Sequence, residues 1–189
     1  MQPKYSAVRE EIVGAEALVR WLHPVDGLIA PNAFVPLFEK DGLIIKLDEY
    51  VWTHTCKKIR EWLDKGYDVK PISVNVSRVN IFDEKLKQKI INITSKYNIP
   101  HDLLELEITE SAFLENADAL YEAMDYFRKQ GFTVSMDDFG SGYSSLNMLK
   151  DGNVDNVKID RAFLNETVTT DNADQVQLQA IRDFQQERK

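Results

Sequence analysis

The chain has 189 residues, of which 43% are hydrophobic and 29% are charged, as is ordinary for a globular domain. Its 23 basic and 31 acidic side chains give a formal net charge of −8. This acidic balance argues against a nucleic-acid polymer as a partner, because proteins that bind such polymers present basic patches to the phosphates.

The sequence has no apolar run of about 18 residues, which a transmembrane helix would need. Residues 1–4 also lack the apolar core of a signal peptide. Cys56 is the only cysteine, so an internal disulfide is impossible, and a reducing compartment fits. We therefore expect a soluble, cytoplasmic domain without membrane contact of its own, although its parent protein could be membrane-tethered.

Strands and helices are predicted to alternate along the chain. Short apolar or alternating runs predict strands at residues 2–7, 12–21, 72–76, 104–109, 132–137 and 156–159. Helical periodicity predicts helices at residues 32–40, 44–65, 84–97, 117–130 and 145–149, and from about 173 to near the last residue. The connector between the first two strands is too short for a parallel crossover, so this pair is expected to be antiparallel. The later alternation predicts parallel βα units, in a (β/α) barrel or a doubly wound sheet.

Each later strand is predicted to have one apolar face and one polar face, because side chains alternate along a strand. In residues 104–109, for example, the apolar face of Leu104, Leu106 and Ile108 opposes Glu105, Glu107 and Thr109. The same alternation assigns five further residues to polar faces: Glu16, Arg20, Asn75, Asp137 and Lys158. Parallel strands covered on both faces are almost continuously apolar, so these polar faces must converge. Since the inner faces of a barrel do converge, we expect an α/β fold that is an incomplete TIM-like (β/α) barrel, with about six of eight strands.

This convergence would bring four carboxylates into one pocket: Glu16, Glu107, Asp137 and Asp138. Carboxylates that lie so close cannot all stay ionised unless cations neutralise them, and Lys158 and Arg20 are too few. Divalent cations with oxygen ligands, Mg²⁺ or Mn²⁺, would solve the problem, and Asn75 adds a carbonyl oxygen. The adjacent Asp137 and Asp138 could serve two ions, as in phosphodiester cleavage. Singly, each residue has an ordinary alternative role, such as a structural ion pair for Glu16 or turn chemistry for Asp137 and Asp138.

At these residues the sequence resembles the EAL domain family of cyclic di-GMP phosphodiesterases. Five blocks in order carry the resemblance: GAEALVRW at residues 14–21, ISVNVS at 72–77, EITES at 107–111, DDFGSGYSSL at 137–146 and KID at 158–160. The resemblance implies a metal-dependent phosphodiesterase with two metal ions that hydrolyses cyclic di-GMP to linear pGpG.

The resemblance also implies a role for each matching residue. Metal ligands would be Glu16, Asn75, Glu107, Asp137 and Asp138, and the catalytic residues would be Lys158, Glu16 and Asp138. Gln2, Leu18 and Arg20 would contact the cyclic dinucleotide. Glu110 would stabilise the loop after Asp138, and residues 139–145 are linked in the family to dimerisation and metal capture.

The sequence departs from the family after the KID block, because no Glu-Gly-Val-Glu block follows. We therefore expect residues 1–189 to be a single EAL-type domain that lacks the C-terminal strands and part of the second metal site. Hydrolysis by this chain alone should then be weak or absent. An open sheet edge would favour a homodimer or a segment-swapped oligomer. The alternative function is a non-catalytic module for cyclic di-GMP binding or for dimerisation.

Overall fold

The computed structural model describes residues 1–81, 83, 85–114, 116–140 and 154–160. Six strands form one sheet in the order β1 (Gln2–Ser6), β2 (Glu11–Glu16), β5 (Ile72–Asn75), β6 (Leu104–Thr109), β7 (Thr133–Phe139) and β8 (Asn156–Ile159). β1 pairs with β2 in the antiparallel sense, and every later pair is parallel. The order follows the chain without the reversal that defines a doubly wound sheet, and the sheet curls as half of a barrel. The predicted incomplete barrel and the antiparallel first pair are both confirmed.

Helices connect the parallel strands from β2 to β7. They are α1 (Pro31–Lys40), α2 (Ile44–Asp64), α3 (Arg78–Ile81), α4 (Leu86–Tyr97) and α5 (Ala117–Lys129), with 3-10 turns at His101–Leu103 and Glu110–Leu114. Pro31 begins α1, where its fixed φ suits the first helical turn. Asn116 caps α5, because its side chain accepts a hydrogen bond from the Ala119 amide. The helices predicted at residues 145–149 and beyond 173 lie outside the described residues.

The predicted strand at residues 12–21 is wrong at its C-terminal end. β2 stops at Glu16, and Trp21–His23 forms a separate strand, β3, that pairs with β4 (Gly27–Ile29) in a small hairpin. Apolar and polar residues continue to alternate in the sequence as far as Trp21, which is why a longer strand is predicted. The Trp21 ring packs against Phe34 and Phe38 of α1, with ring centroids 5.7 and 6.0 Å apart, and this contact takes Trp21 out of β2. Arg20 consequently does not lie on the inner face of the sheet.

The core lies between the sheet and its helices. The predicted apolar faces are buried there, as Val74, Leu106 and Val134 illustrate with 0–1% exposure. They pack with helical side chains that include Trp52, Ile59, Ile90, Leu120 and Met124. The polar faces therefore point to the opposite side, into the half-barrel.

Among the described helices, none is long and apolar enough to cross a membrane.

Candidate metal centre

Three carboxylates from three strands meet inside the half-barrel. Glu16 ends β2, Glu107 lies late in β6, and Asp137 lies late in β7, and one oxygen of each lies within 4.8 Å of the other two. All three stand toward the C-terminal ends of their strands, where barrels of this type carry their active sites. We call Glu16, Glu107 and Asp137 the carboxylate trio.

Lys158 of β8 extends its ammonium group into the carboxylate trio. Its Nζ atom lies 3.3 Å from Glu16 Oε2, 3.0 Å from Glu107 Oε2 and 2.9 Å from Asp137 Oδ2. Burial opposes the charge on Lys158, but the hydrogen bond to Asp137 and the charges of Glu107 and Asp137 outweigh it, so the pKa of Lys158 is raised. Lys158 therefore stays protonated and lies among the three carboxylates of the trio.

A second cation, Lys4, reaches the site from β1, although the sequence pattern did not single it out. Its Nζ atom lies 2.8 Å from Glu107 Oε1 and 2.9 Å from Glu105 Oε2. The register of the antiparallel pair explains its position: Gln2 faces Glu16 and Lys4 faces Gly14, so Lys4 shares the inner face with Glu16. Lys4, and not the exposed Arg20, is thus the second positive charge next to the carboxylates.

Glu107 is fully buried, with 0% exposure of its side chain. Burial alone would raise its pKa, but the hydrogen bond and charge of Lys4, the charge of Lys158 and a hydrogen bond from Ser73 together lower it. Two lysines on one buried glutamate therefore keep Glu107 ionised, which is the form that binds a cation.

A second polar layer lies two residues earlier on the same strands. Ser135 donates a hydrogen bond to Glu105 Oε1, and the Asn156 amide donates to Ser135 Oγ over 3.3 Å. Lys4 joins the two layers because it bonds to both Glu105 and Glu107. The carboxylate trio is therefore supported from below by hydrogen-bonded side chains.

Asn75 ends β5 beside Glu16. Its Nδ2 donates to Glu16 Oε1 over 3.3 Å, and its backbone carbonyl accepts a hydrogen bond of 3.0 Å from the Trp52 indole. Its amide oxygen gives the site a neutral oxygen donor beside the carboxylates.

A local irregularity sets the positions of Asp137 and Asp138. The pairing of β7 with β8 shifts register between Met136 and Phe139, and Asp138 has φ of +56° in the left-handed region. The Asp138 amide donates a hydrogen bond of 2.9 Å to Asp137 Oδ1. Partial desolvation, followed by the charges of Asp137 and Asp160, raises the pKa of Asp138. Asp138 lies next to the carboxylate trio but is exposed.

Glu110, predicted to stabilise the loop after Asp138, is buried with 2% exposure. Its Oε2 accepts a hydrogen bond of 2.9 Å from the Gly140 amide. The structure therefore ties the end of β6 to the first residue after β7. Residues 141–145, which complete the predicted dimerisation loop, lie outside the described residues.

The three predicted dinucleotide contacts lie in different parts of the structure. Gln2 pairs with Glu16 across β1 and β2 and lines the open interior together with Lys4 and Lys158. Leu18 lines a cavity of about 550 Å³ that also includes Asn75. Arg20 is exposed, and its guanidinium donates to the Val19 carbonyl over 2.7 Å. β2, the strand predicted to carry Arg20 toward the carboxylates, ends four residues before it.

The donor set fits a hard divalent cation. Such ions bind carboxylate and carbonyl oxygens, and the carboxylate trio with Asn75 supplies both. Within the part of the chain that the structure describes, four clustered carboxylates, those of the trio and Glu105, face the ammonium groups of Lys4 and Lys158. The local charge of these groups therefore remains negative, and a divalent cation would balance it.

Comparisons with known proteins agree on one family. The family model described as EAL domain matches residues 1–189. The bifunctional diguanylate cyclase/cyclic di-GMP phosphodiesterase MucR of Pseudomonas aeruginosa is 41% identical over 165 residues, 87% of this chain and 24% of MucR. The cyclic di-GMP phosphodiesterase NbdA of the same organism is 34% identical over 163 residues, 86% of this chain and 21% of NbdA. The chain thus spans less than a quarter of the length of these curated relatives.

Solved structures agree with the sequence comparisons. The phosphodiesterase PaMucR in complex with c-di-GMP superposes with a TM-score of 0.87 at 38% identity, over 98% of this chain and 75% of that one. The EAL domain of Mycobacterium smegmatis DcpA gives a TM-score of 0.76 at 26% identity, over 99% of this chain and 75% of that one.

Proposed function

Because this chain belongs to the EAL domain family, we propose that it forms the metal-binding and substrate-binding part of a phosphodiesterase that hydrolyses cyclic di-GMP to linear pGpG. The observation that carries the proposal is the carboxylate trio, whose oxygens lie within 4.8 Å of one another at the C-terminal strand ends. Relatives named as cyclic di-GMP phosphodiesterases and a relative solved with c-di-GMP support the choice of substrate.

The residue roles follow from the chemistry of the groups. Glu16, Asn75, Glu107, Asp137 and Asp138 would hold Mg²⁺ or Mn²⁺, in one or two sites. A bound divalent ion lowers the pKa of a coordinated water and neutralises charge that develops on the phosphate. Lys158 would orient the attacking water or stabilise the phosphate oxygens through its ammonium group. Glu110 would keep the loop after Asp138 in position through its bond to Gly140.

The cavity next to Asn75 is suited to one base of the dinucleotide. It has a volume of about 550 Å³, and its lining combines apolar side chains such as Leu18 and Val35 with polar groups from Ser77 and Thr109. Ligand sites commonly combine an apolar surface with a few polar groups in this way. Leu18 would contact the base there, Gln2 would contact the substrate from β1, and Arg20 would hold a phosphate or stack on a guanine.

We also propose that the domain acts as one unit in the cytoplasm, as a homodimer or a segment-swapped oligomer. Light scattering of the purified chain would test the oligomer. A monomer at every concentration would contradict it.

A second candidate function is a binding or dimerisation module without turnover. The position of Lys158 favours it, because one ammonium within 3.3 Å of all three carboxylates partly balances their charge without a metal ion. Such a module would bind cyclic di-GMP without cleaving it, or would bind a second copy only.

One experiment separates these functions. The chain is incubated with cyclic di-GMP and Mg²⁺ or Mn²⁺, and binding and pGpG release are both measured. Turnover that is lost in Glu16→Ala but kept in Glu61→Ala, a half-exposed glutamate of α2 away from the site, supports the phosphodiesterase. Binding without pGpG supports the binding module, and the absence of both contradicts each function that involves the dinucleotide.

A further inference from the structure

We propose that Lys4 is a positioning residue that makes Glu107 a one-oxygen metal ligand, and so selects small octahedral ions over Ca²⁺. The inference rests on the proposed metal site and adds a residue that the family resemblance did not single out. It also assigns a function to β1, the strand that is antiparallel to the rest of the sheet.

Each carboxylate of the trio has one oxygen held by a hydrogen-bond donor and the other directed at Lys158. Asn75 Nδ2 holds Glu16 Oε1 at 3.3 Å, Lys4 Nζ holds Glu107 Oε1 at 2.8 Å, and the Asp138 amide holds Asp137 Oδ1 at 2.9 Å. The other three oxygens share the Lys158 ammonium: Glu16 Oε2, Glu107 Oε2 and Asp137 Oδ2. A metal ion that displaced the Lys158 ammonium would therefore be offered one oxygen by each carboxylate.

Lys4 is the strongest of these three holding groups. It is the only one of them that carries a full charge, and its contact with Glu107 is the shortest. Glu105 anchors the same ammonium at 2.9 Å, and Glu105 is itself held by Ser135. Lys4 is thus fixed from the lower layer, and rotation of Glu107 would break a charged bond at a fully buried carboxylate.

The number of oxygens that a carboxylate offers distinguishes divalent ions. Ca²⁺ accepts about six to eight oxygens and often binds a carboxylate through both, whereas Mg²⁺ requires a compact octahedron of about six single contacts. A trio of one-oxygen ligands suits Mg²⁺, and Mn²⁺ accepts the same hard oxygen donors. If Lys4 no longer held Oε1 of Glu107, the neutral hydrogen bond from Ser73 would remain. Without a charged donor, Glu107 could then bind Ca²⁺ through both oxygens more readily.

The test compares the affinities of Ca²⁺ and Mn²⁺ for the full chain by calorimetry. Loss of a positive charge should strengthen binding of both ions alike, because both carry the same charge, so their affinity ratio isolates ligand geometry. We expect Lys4→Met to shift the ratio toward Ca²⁺ by about tenfold, which corresponds to about 1.4 kcal/mol. Lys4→Arg, which keeps donors on Glu107, should stay near the original ratio, as should Lys70→Met, which removes an exposed lysine.

A double variant covers the case in which Lys4→Met fails to fold because Glu105 loses its partner. Lys4→Met/Glu105→Gln removes both charges and keeps an acceptor for Ser135, and it should show the same shift in the ratio. An unchanged ratio in the folded variant overturns the inference while leaving the proposed function intact. Failure of the unmodified chain to bind either ion, or binding that persists in Glu16→Ala, overturns the inference together with the proposed metal site.

Discussion

The indole Nε1 of Trp52 donates a hydrogen bond of 3.0 Å to the backbone carbonyl of Asn75. Trp52 is buried in α2 with 1% exposure, and Asn75 is the last residue of β5. Helix α2 of the outer layer thus fixes the C-terminal end of β5. From that strand end, the Asn75 side chain donates its hydrogen bond to Glu16 inside the half-barrel.

Replacement of Trp52 by Phe should weaken both the fold and the site. Phe keeps most of the ring packing but removes the donor, so the free energy of unfolding should fall by about 1 kcal/mol or more. Affinity for Mn²⁺ should fall as well, because Asn75 is less constrained. Urea unfolding and calorimetry measure the two effects. Trp62→Phe, a partly buried indole on the same helix, is the control, and an equal loss of metal affinity in it would contradict the role of this hydrogen bond.

Asp48, also on α2, holds the turn after β5. Its Oδ2 accepts hydrogen bonds from the Ser77 amide at 2.9 Å and from Asn80 Nδ2 at 2.8 Å. Burial raises the pKa of Asp48 above its ordinary value of 3.8, although these hydrogen bonds act in the opposite direction. The folded chain therefore binds this proton more tightly than the unfolded chain does. The stability contributed by protonated Asp48 is fully present below pH 3.8 and is lost as the pH rises through the folded pKa.

Asp48→Asn should remove this pH dependence, because the amide is neutral and its oxygen still accepts the Ser77 bond. The free energy of unfolding of the original chain, relative to the variant, should fall as the pH is raised from about 3.5 to about 7. Urea unfolding at each pH measures it. Glu61→Gln is the control. The hydrogen bond from Lys58 lowers the pKa of Glu61, so the free energy of unfolding of the original chain, relative to this variant, should rise with pH instead of falling. A constant difference between the original chain and Asp48→Asn would show that Asp48 has no such shift.

Gly14 allows a close approach between β2 and the residue before β5. A Cβ atom at Gly14 would lie 2.8 Å from the Pro71 carbonyl oxygen, which accepts a hydrogen bond of 3.0 Å from Ala15. Gly14→Ala should therefore separate the strands, with a loss of about 1–3 kcal/mol in unfolding free energy. Metal affinity should fall too, because Glu16 lies two residues further on.

Gly66→Ala is the matched comparison for Gly14→Ala. Gly66 has φ of +73°, and a Cβ atom there would have no neighbour within 4 Å among the described residues. Alanine at this position therefore costs only backbone strain, roughly 1–2 kcal/mol. Unfolding in urea and Mn²⁺ titration distinguish the two variants. Gly66→Ala should leave metal affinity unchanged, and an equal loss in both variants would indicate a general effect of lowered stability.

Strand alternation predicted most of the inner surface. Alternation places Glu107, Asp137 and Lys158 on polar faces, because apolar neighbours such as Leu106 and Met136 must pack against helices. That requirement is strong and local. When the sheet curls into a half-barrel, the polar faces of neighbouring strands converge, and their carboxylates form the trio.

Two features could not be obtained in the same way. The end of β2 depends on the packing of Trp21 with Phe34 and Phe38, a tertiary contact that competes with continued alternation. Lys4 lies on a short, mostly polar strand, and its inward direction becomes visible only through its register with Gly14. Register across an antiparallel pair is a property of two segments together, so the pattern of one segment does not give it.

Asp138 combines a strained backbone with an unfavourable charge. Its φ of +56° lies in the left-handed region, which Asn and Gly tolerate better than Ala. Burial and the carboxylates of Asp137 and Asp160 disfavour its ionised form. Without metal, Asp138→Asn should therefore unfold at a higher temperature than the original chain, whereas Asp138→Ala should gain less because strain remains.

Addition of Mn²⁺ should reverse this order if Asp138 is a metal ligand. The ion would neutralise the carboxylates and stabilise the original chain by mass action, while Asp138→Asn would gain less because it binds the ion more weakly. Thermal unfolding with and without Mn²⁺ measures the difference, and Asp125→Asn, on the outer helix α5, is the control. An equal rise in melting temperature for the original chain and Asp138→Asn would remove Asp138 from the metal site and leave its strained backbone as a purely structural feature of the β7 bulge.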